Sequence, residues 1–437
     1  MVLWLKTKNL ISFKENLSNL TTRYPFFNRN GLVVFFFFSY LWALIYSKFV
    51  ISVAMICLLV MSFFELDFEK KQPLQLNSQL RSNWQNFISN KAYLAVTLYF
   101  FLILMTGIYS SDMNYLMERL RIKLPFLLLP FAFASMPQLK EREYLSIFYF
   151  FLFLLFGSAI LVGFGYLQNY ELITDNLGKG QPIPTPVNHI RFSLMMAFSI
   201  IGGVVLFFRN FYWKWVWEKW LILGMTIFLF FFIHVLSVRS GILVLYASLL
   251  FLTLRFAFLQ KKYWLGITSV IILLCIPTLA YKSIESFRKK VDYTIWDWQQ
   301  YYYDLPLRSS DASRLISFKV GLEICQKEKW LGVGAGDLRK EVHKIYEERF
   351  PEIKDKKMPH NQLISICGGM GMIGLAIFIL AFFFPLFYKK IKPDALFITL
   401  HLIIFASFFT ENTIENSVGV GFYIFFLLLG ISYLSDE

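Results

Sequence analysis

The sequence predicts an all-α polytopic membrane protein with about twelve transmembrane helices and one long extracytoplasmic loop domain. Three observations lead there. Of its 437 residues 57% are hydrophobic, 50 of them Phe. Charge occupies only 16% of positions, well below the roughly 25% of soluble domains. Apolar stretches close to the roughly 20 residues a bilayer requires recur along the whole chain.

Residues 1–30 are polar and basic, with no short apolar run ending in small residues, so no cleavable signal peptide is evident. The first span is then expected to insert the chain and to leave a cytoplasmic tail. Spans follow at 31–48, 49–65, 92–109, 124–137, 143–167, 190–208, 219–237, 240–259 and 263–281, making residues 31–281 a block of nine. Residues 282–360 form the loop domain, and 361–387, 395–409 and 418–434 supply three more spans before a short tail.

The basic residues orient this series. With the N-terminus inside, the cytoplasmic segments hold 20 Lys and Arg, from Lys6 to Lys392, and the short outer segments seven: Lys48, Arg119, Arg121, Lys123, Lys179, Arg191 and Arg239. That asymmetry obeys the positive-inside rule and places both termini in the cytoplasm. The other 16 basic residues lie in the long segment, nearly balanced by 13 acidic ones. Long loops cross regardless of charge. Within it, "SRLISFKVGLEICQKEKW" sets Leu315, Phe318 and Leu322 at helical spacing behind Ser313 as a cap, while Trp296, Trp298 and Tyr301-Tyr302-Tyr303 suit a membrane interface.

The four cysteines show no CxxC pair and no partnering histidines, so neither a disulfide framework nor a zinc site is expected. The +14 charge, once mapped, belongs to membrane topology rather than to nucleic-acid binding.

Candidate functional residues share the outer face. His189 and Arg191 open span six, Arg239 lies in the turn "LSVRSG", Arg314 in the loop, His360 and Asn361 at the mouth of span ten, and Glu411 and Glu415 in "TENTIENS". Singly, Arg191 and Arg239 are compatible with snorkelling to headgroups. Together, Arg191, Arg239 and Arg314 oppose the charge bias of the chain and carry the planar forks that grip phosphate oxygens. They are the candidate pyrophosphate-binding residues. In "KMPHNQLISICGG", Pro359 precedes a helix that Asn361 would cap, setting His360 by the positive end of the helix dipole, a field that disfavours imidazolium. His360 is thus the candidate general base. Asp337, Glu411 and Glu415 could bind a metal, orient a sugar, or pair with the arginines. His189 and Asn361 are supporting candidates. "LGVGAGD" lacks the Gly-Lys-Ser/Thr of a nucleotide loop and reads as a compact turn. His234 and His401 read as buried, hydrogen-bonded residues.

The ordered series "NHIRFSL", "LSVRSGILVL", "SRLISFKVGLEICQKEKWLGVGAGD" and "PHNQLISICGGMGMIGL" resembles the O-antigen ligase and polymerase superfamily of bacterial envelope polysaccharide enzymes. Val238 stands where that family usually carries a serine before the arginine. The resemblance covers about 182–386 and implies a GT-C-like membrane glycosyltransferase of the inner membrane with a periplasmic active site. Its donor would be a glycan on undecaprenyl pyrophosphate, and its acceptor lipid A-core for a ligase or a growing glycan for a polymerase. On the same analogy Arg191, Arg239 and Arg314 hold the pyrophosphate and His360 activates the acceptor hydroxyl. No nucleotide, cofactor or metal is required. A lipid-linked sugar transporter is the alternative of another class, but it would be expected to carry its ionisable groups near the bilayer midplane.

Overall fold

The computed structural model describes residues 29–66, 74–302 and 310–435. The expected cytoplasmic tail up to residue 28, with its basic residues, and also Lys70, Lys71 and Tyr303 lie outside the described residues.

Helices dominate, in the order α1 Arg29–Tyr46, α2 Lys48–Phe63, α3 Leu80–Ser89, α4 Lys91–Met105, α5 Met113–Ala134, α6 Glu141–Gln168, α7 Tyr170–Gly178, α8 His189–Phe208 and α9 Glu218–Leu236. Then follow α10 Arg239–Leu259, α11 Tyr263–Ser283, α12 Glu285–Tyr302, α13 Ser310–Lys327, α14 Leu338–Arg349, α15 Gln362–Phe387, α16 Ala395–Phe408 and α17 Ser417–Leu434. Among the described residues one antiparallel strand pair, β1 Phe64–Leu66 with β2 Leu74–Leu76, follows α2.

Each expected span coincides with a helix, and eight of these helices are long and apolar enough to cross a bilayer. Of the other four, α1, α2 and α16 are shorter apolar helices, and α5 is interrupted by Glu118, Arg119, Arg121 and Lys123. The helix starts are written locally. Ser47, Asn90, Asp112, Asn188, Asn361, Asp394 and Asn416 each accept a backbone N–H from the first turn that follows, satisfying donors that a helix leaves unpaired.

The core is organised around α17, which packs on α1, α2, α4, α5, α6, α8 and α16. Lipid offers little hydrophobic drive between helices, so close packing must hold them. Interlocked rings supply it, with Phe425 against Phe37, Tyr40 and Phe133, and Phe426 against Phe148, Phe151 and Phe198.

The bundle has two distinct ends, about 30 Å apart along α8 at 1.5 Å per residue. At one, Arg209 pairs with Glu141, the Arg142 guanidinium donates to the Trp213 carbonyl at 2.6 Å, and Asn90 Nδ2 donates to Ser435 Oγ at 3.1 Å. These are segments the basic-residue asymmetry assigned to one side. His189, Arg191 and the candidate site lie at the other.

Between α11 and α15, α13 and α14 share a core of their own: Ile316, Val320 and Ile324 pack with Leu338, Val342, Ile345 and Tyr346. This corrects the expected stripe. Leu315, Phe318 and Leu322 have the right period but the wrong phase, and Leu322 is 45% exposed. The docking of α14, rather than the helix itself, selects the face. Ser313 is not a cap either, because the helix begins at Ser310; its Oγ accepts a hydrogen bond from Lys357 Nζ at 3.0 Å.

Two further corrections concern α15. It is broken at Gly371, whose φ of 66° and ψ of −174° interrupt the helix. Cys325 of α13 and Cys367 of α15 form a disulfide, contrary to the expectation of none. Sequence spacing carried no trace of that pair, because 42 residues and a fold separate its members.

Candidate functional site

The connection between α16 and α17, residues 409–416, is the hub of the site. Glu411 is buried there, 4% exposed. One carboxylate oxygen lies 3.1 Å from Arg314 Nη2. The other lies 3.4 Å from Arg191 Nη1 and 3.6 Å from His360 Nδ1. Three cationic or ionisable groups from α8, α13 and the start of α15 thus meet one carboxylate. Burial pushes the Glu411 carboxyl up in pKa, but His360, Arg191 and Arg314 more than offset this and hold it below the usual carboxylate range.

Local structure sets each member. Asn361 caps α15, its Oδ1 accepting from Ile364 N at 3.0 Å, so His360 stands just outside the first turn. The His360 backbone N–H donates to Ser317 Oγ at 3.2 Å, which fastens it to α13 one turn beyond Arg314. Asn361 Nδ2 reaches back to the Phe409 carbonyl at 3.3 Å, and Arg191 Nη2 donates to the Asn412 carbonyl at 2.9 Å. Arg191 is largely enclosed, whereas the Arg314 side chain keeps 33% of its surface exposed. A groove of about 670 Å³ opens beside the cluster, lined by His189, Arg191, Lys48, Tyr46, Asn416 and the segment 182–188.

Glu415, four residues on, belongs to a different cluster. Lys123 of α5 is fully buried 3.0 Å from its carboxylate and also donates to the Ile414 carbonyl. Gln362 Nε2 donates to Glu415 at 2.7 Å, Tyr99 OH at 3.2 Å, and Arg119 Nη1 stands 3.6 Å away. Gln362 Oε1 in turn accepts from Ile414 N at 3.1 Å. This network clamps the hub segment against α4, α5 and α15. Burial raises the Glu415 carboxyl, and Lys123, Gln362 and Arg119 bring it below its ordinary value. Lys123, Arg119, Tyr99 and Gln362 were not singled out as candidates. The signal available was a lysine and an arginine abutting the apolar run "LPFLLLP", the same anomaly that marked Arg191.

Asp337 is not brought to either cluster. Its oxygens accept from Ser111 N, Ser111 Oγ and Asp112 N at 2.6, 2.7 and 3.0 Å, tying the loop to the α4–α5 connection. Arg239 occupies the exposed first position of α10, and Gly241 packs that turn against Ser193 near the start of α8. His234 and His401 are buried, with ring nitrogens on the Phe230 and Phe397 carbonyls respectively. The segment "LGVGAGD" does more than turn. Val333 N and Gly334 N donate to the Gly368 and Gly369 carbonyls at 2.9 and 3.1 Å, filling the break in α15. Across the break, Met372 N donates to the Lys329 carbonyl at 2.8 Å. These bonds satisfy backbone groups that the break would otherwise leave without partners.

Residues 224–379 match the family model described as O-antigen ligase. Over that stretch the chain is similar to the O-antigen ligase family. No curated protein matches the chain. The matched stretch contains Arg239, Arg314, Asp337, His360 and Asn361, while His189, Arg191, Glu411 and Glu415 lie outside it and join through the fold. The matched stretch therefore holds Arg314 and His360, and α8 and the α16–α17 connection complete the cluster. Among the described residues no group of three or more His, Cys, Asp or Glu is arranged to hold a metal.

Proposed function

We propose that the protein is a GT-C-like glycosyltransferase of the bacterial inner membrane, which twelve of its helices would cross. It moves a glycan from undecaprenyl pyrophosphate to an acceptor at the periplasmic face, with lipid A-core as the acceptor in an O-antigen ligation. The observation that carries this reading is the meeting of Arg191, Arg314 and His360 on Glu411.

A carboxylate at Nδ1 favours the tautomer with the proton there, which leaves Nε2 free to accept one. His360 would take the acceptor hydroxyl proton through Nε2 as the oxygen attacks the anomeric carbon. The bond from that carbon to the pyrophosphate oxygen breaks, and the leaving group departs with its electron pair. Arg314, partly exposed, would meet the developing phosphate charge. Enclosed Arg191 would hold Glu411 and the hub in register, and Arg239 would stand at the rim of the donor site. Preorganised cations placed where charge develops stabilise such a transition state without reorganising. The groove beside His189 and Arg191 would admit the donor headgroup.

A second reading within the same family is polymerisation of repeat units, with the same donor and a lipid-linked glycan as acceptor. The test is a product gel from the lipid-reconstituted protein given undecaprenyl-pyrophosphate-linked repeat units, with and without lipid A-core. A shifted band that requires lipid A-core supports ligation. A ladder from donor alone would replace it with polymerisation, and intact donor in both lanes would overturn both.

A further inference from the structure

Beyond the transfer reaction, the disulfide carries an inference of its own. We infer that the Cys325–Cys367 bond is made in an oxidising extracytoplasmic compartment and is the covalent closure that holds α13 and α14 on the broken helix α15.

The placement of the two cysteines argues for this. Cys325 lies on the helix that carries Arg314, and Cys367 on the helix that begins beside His360. Their bond sits directly before a backbone junction: Cys325 is followed by the segment 329–334 and Cys367 by 368–373, and these two segments exchange the hydrogen bonds that fill the helix break. Gly332 (φ 70°) and Gly371 (φ 66°) make the approach possible. A Cβ at Gly332 would stand 2.6 Å from both Met370 N and Gly371 N.

If the segment lifted away, the carbonyls of buried Gly368 and Gly369 and the N–H of Met372 would lose their partners, and a buried backbone group without a partner costs free energy. A nearby covalent tether keeps the two halves at high effective concentration, so that the junction re-forms after any opening. Cys57 and Cys275 are unpaired and lie elsewhere on the bundle.

Chemistry then assigns the compartment. Thiols in the cytosol are kept reduced, while disulfides persist in oxidising spaces such as the bacterial periplasm. The two thiols lose two protons and two electrons to the disulfide of an envelope thiol oxidant, which leaves as its dithiol. The end of the bundle that bears Arg314 and His360 is thereby placed outside. This rests on cysteine placement and not on the glycosyl-transfer reading, so its test needs no substrate.

Full-length protein is prepared from membranes of a bacterial host and of the same host lacking its envelope thiol oxidase. Both samples are denatured, tagged with a maleimide mass label with and without reductant, and peptide-mapped. Two tags, on Cys57 and Cys275, are expected from the parent host without reductant, four after reduction, and four from the oxidase-deficient host throughout. Four tags in the unreduced parent sample would overturn the bond, and two in both hosts would overturn the compartment. For the closure itself, trypsin should cut after Lys327 and Lys329 about tenfold faster in C325S/C367S and in reduced wild type, because the local opening becomes untethered. Unchanged cutting in the reduced wild type, which is already folded, would remove that role.

Discussion

Glu411 stands 3.6 Å from Nδ1 of His360 and shares its two oxygens with Arg314 and Arg191. In the proposed reaction the carboxylate orients the imidazole and the imidazole moves the proton. His360→Ala should lower turnover about 10²–10⁴-fold, the range for loss of a positioned general base. Donor affinity should stay near wild type. Single-turnover kinetics paired with equilibrium donor binding would separate these, and a variant that keeps its rate would refute the assignment.

Arg314 and Arg191 should fail differently. Arg314 is the more exposed, so Arg314→Ala is expected to weaken donor binding by roughly 10–100-fold, corresponding to charged hydrogen bonds of about 1.5–3 kcal/mol. Arg314→Lys should recover only part, since a point charge cannot reproduce the fork. Arg191→Ala should instead destabilise the fold, by up to about 3–5 kcal/mol, because it uncovers a buried carboxylate. Thermal unfolding in detergent beside donor titration distinguishes the two.

Lys123→Met should resemble Arg191→Ala in leaving Glu415 without its buried cation, at a cost of about 3–5 kcal/mol. The double variant Lys123→Met/Glu415→Gln should regain part of that loss, since no uncompensated charge remains. A double-mutant cycle by thermal melting tests this. Purely additive losses would show that the pair is not coupled.

Acid should loosen the hub. The folded-state pKa of Glu411 is depressed, so the unfolded chain takes up the proton first on acidification. The stabilisation is complete above the ordinary glutamate value of about 4.3, declines below it, and is lost once pH falls through the lower folded-state value. Glu411→Gln should flatten this part of the stability profile. An unchanged acid limb in that variant would show that other carboxylates govern it.

Gly371→Ala combines a left-handed φ of 66° with a methyl group driven into the Trp330 carbonyl. About 1–3 kcal/mol of backbone strain is expected, released by undocking the 329–334 segment. Hydrogen exchange at Val333 and Gly334 should accelerate while the amides of α17 remain protected. Equal loss in both places would indicate general unfolding instead.

Much of this molecule is legible in consecutive residues. Apolar length announces the helices of the expected spans but not α3, α7, α12 or α14, and Asn361 announces the start of α15, because hydropathy and capping depend on neighbours a few positions apart. The arginines that oppose the charge bias are visible for the same reason. The division of Glu411 and Glu415 between two clusters is not, since four residues of loop can face either way until Arg191 and Lys123 arrive from other helices.

Local reading of the chain reaches a run of apolar helices and the arginines that oppose its charge bias. Tertiary structure decided the rest: the phase of α13, the partner of each carboxylate, the Cys325–Cys367 bond, and the role of "LGVGAGD" as the plug of a broken helix. The reason is physical. Local preferences are encoded by the side chains that express them, but docking is decided by backbone carbonyls and N–H groups that every residue shares, and by packing between segments far apart in the chain.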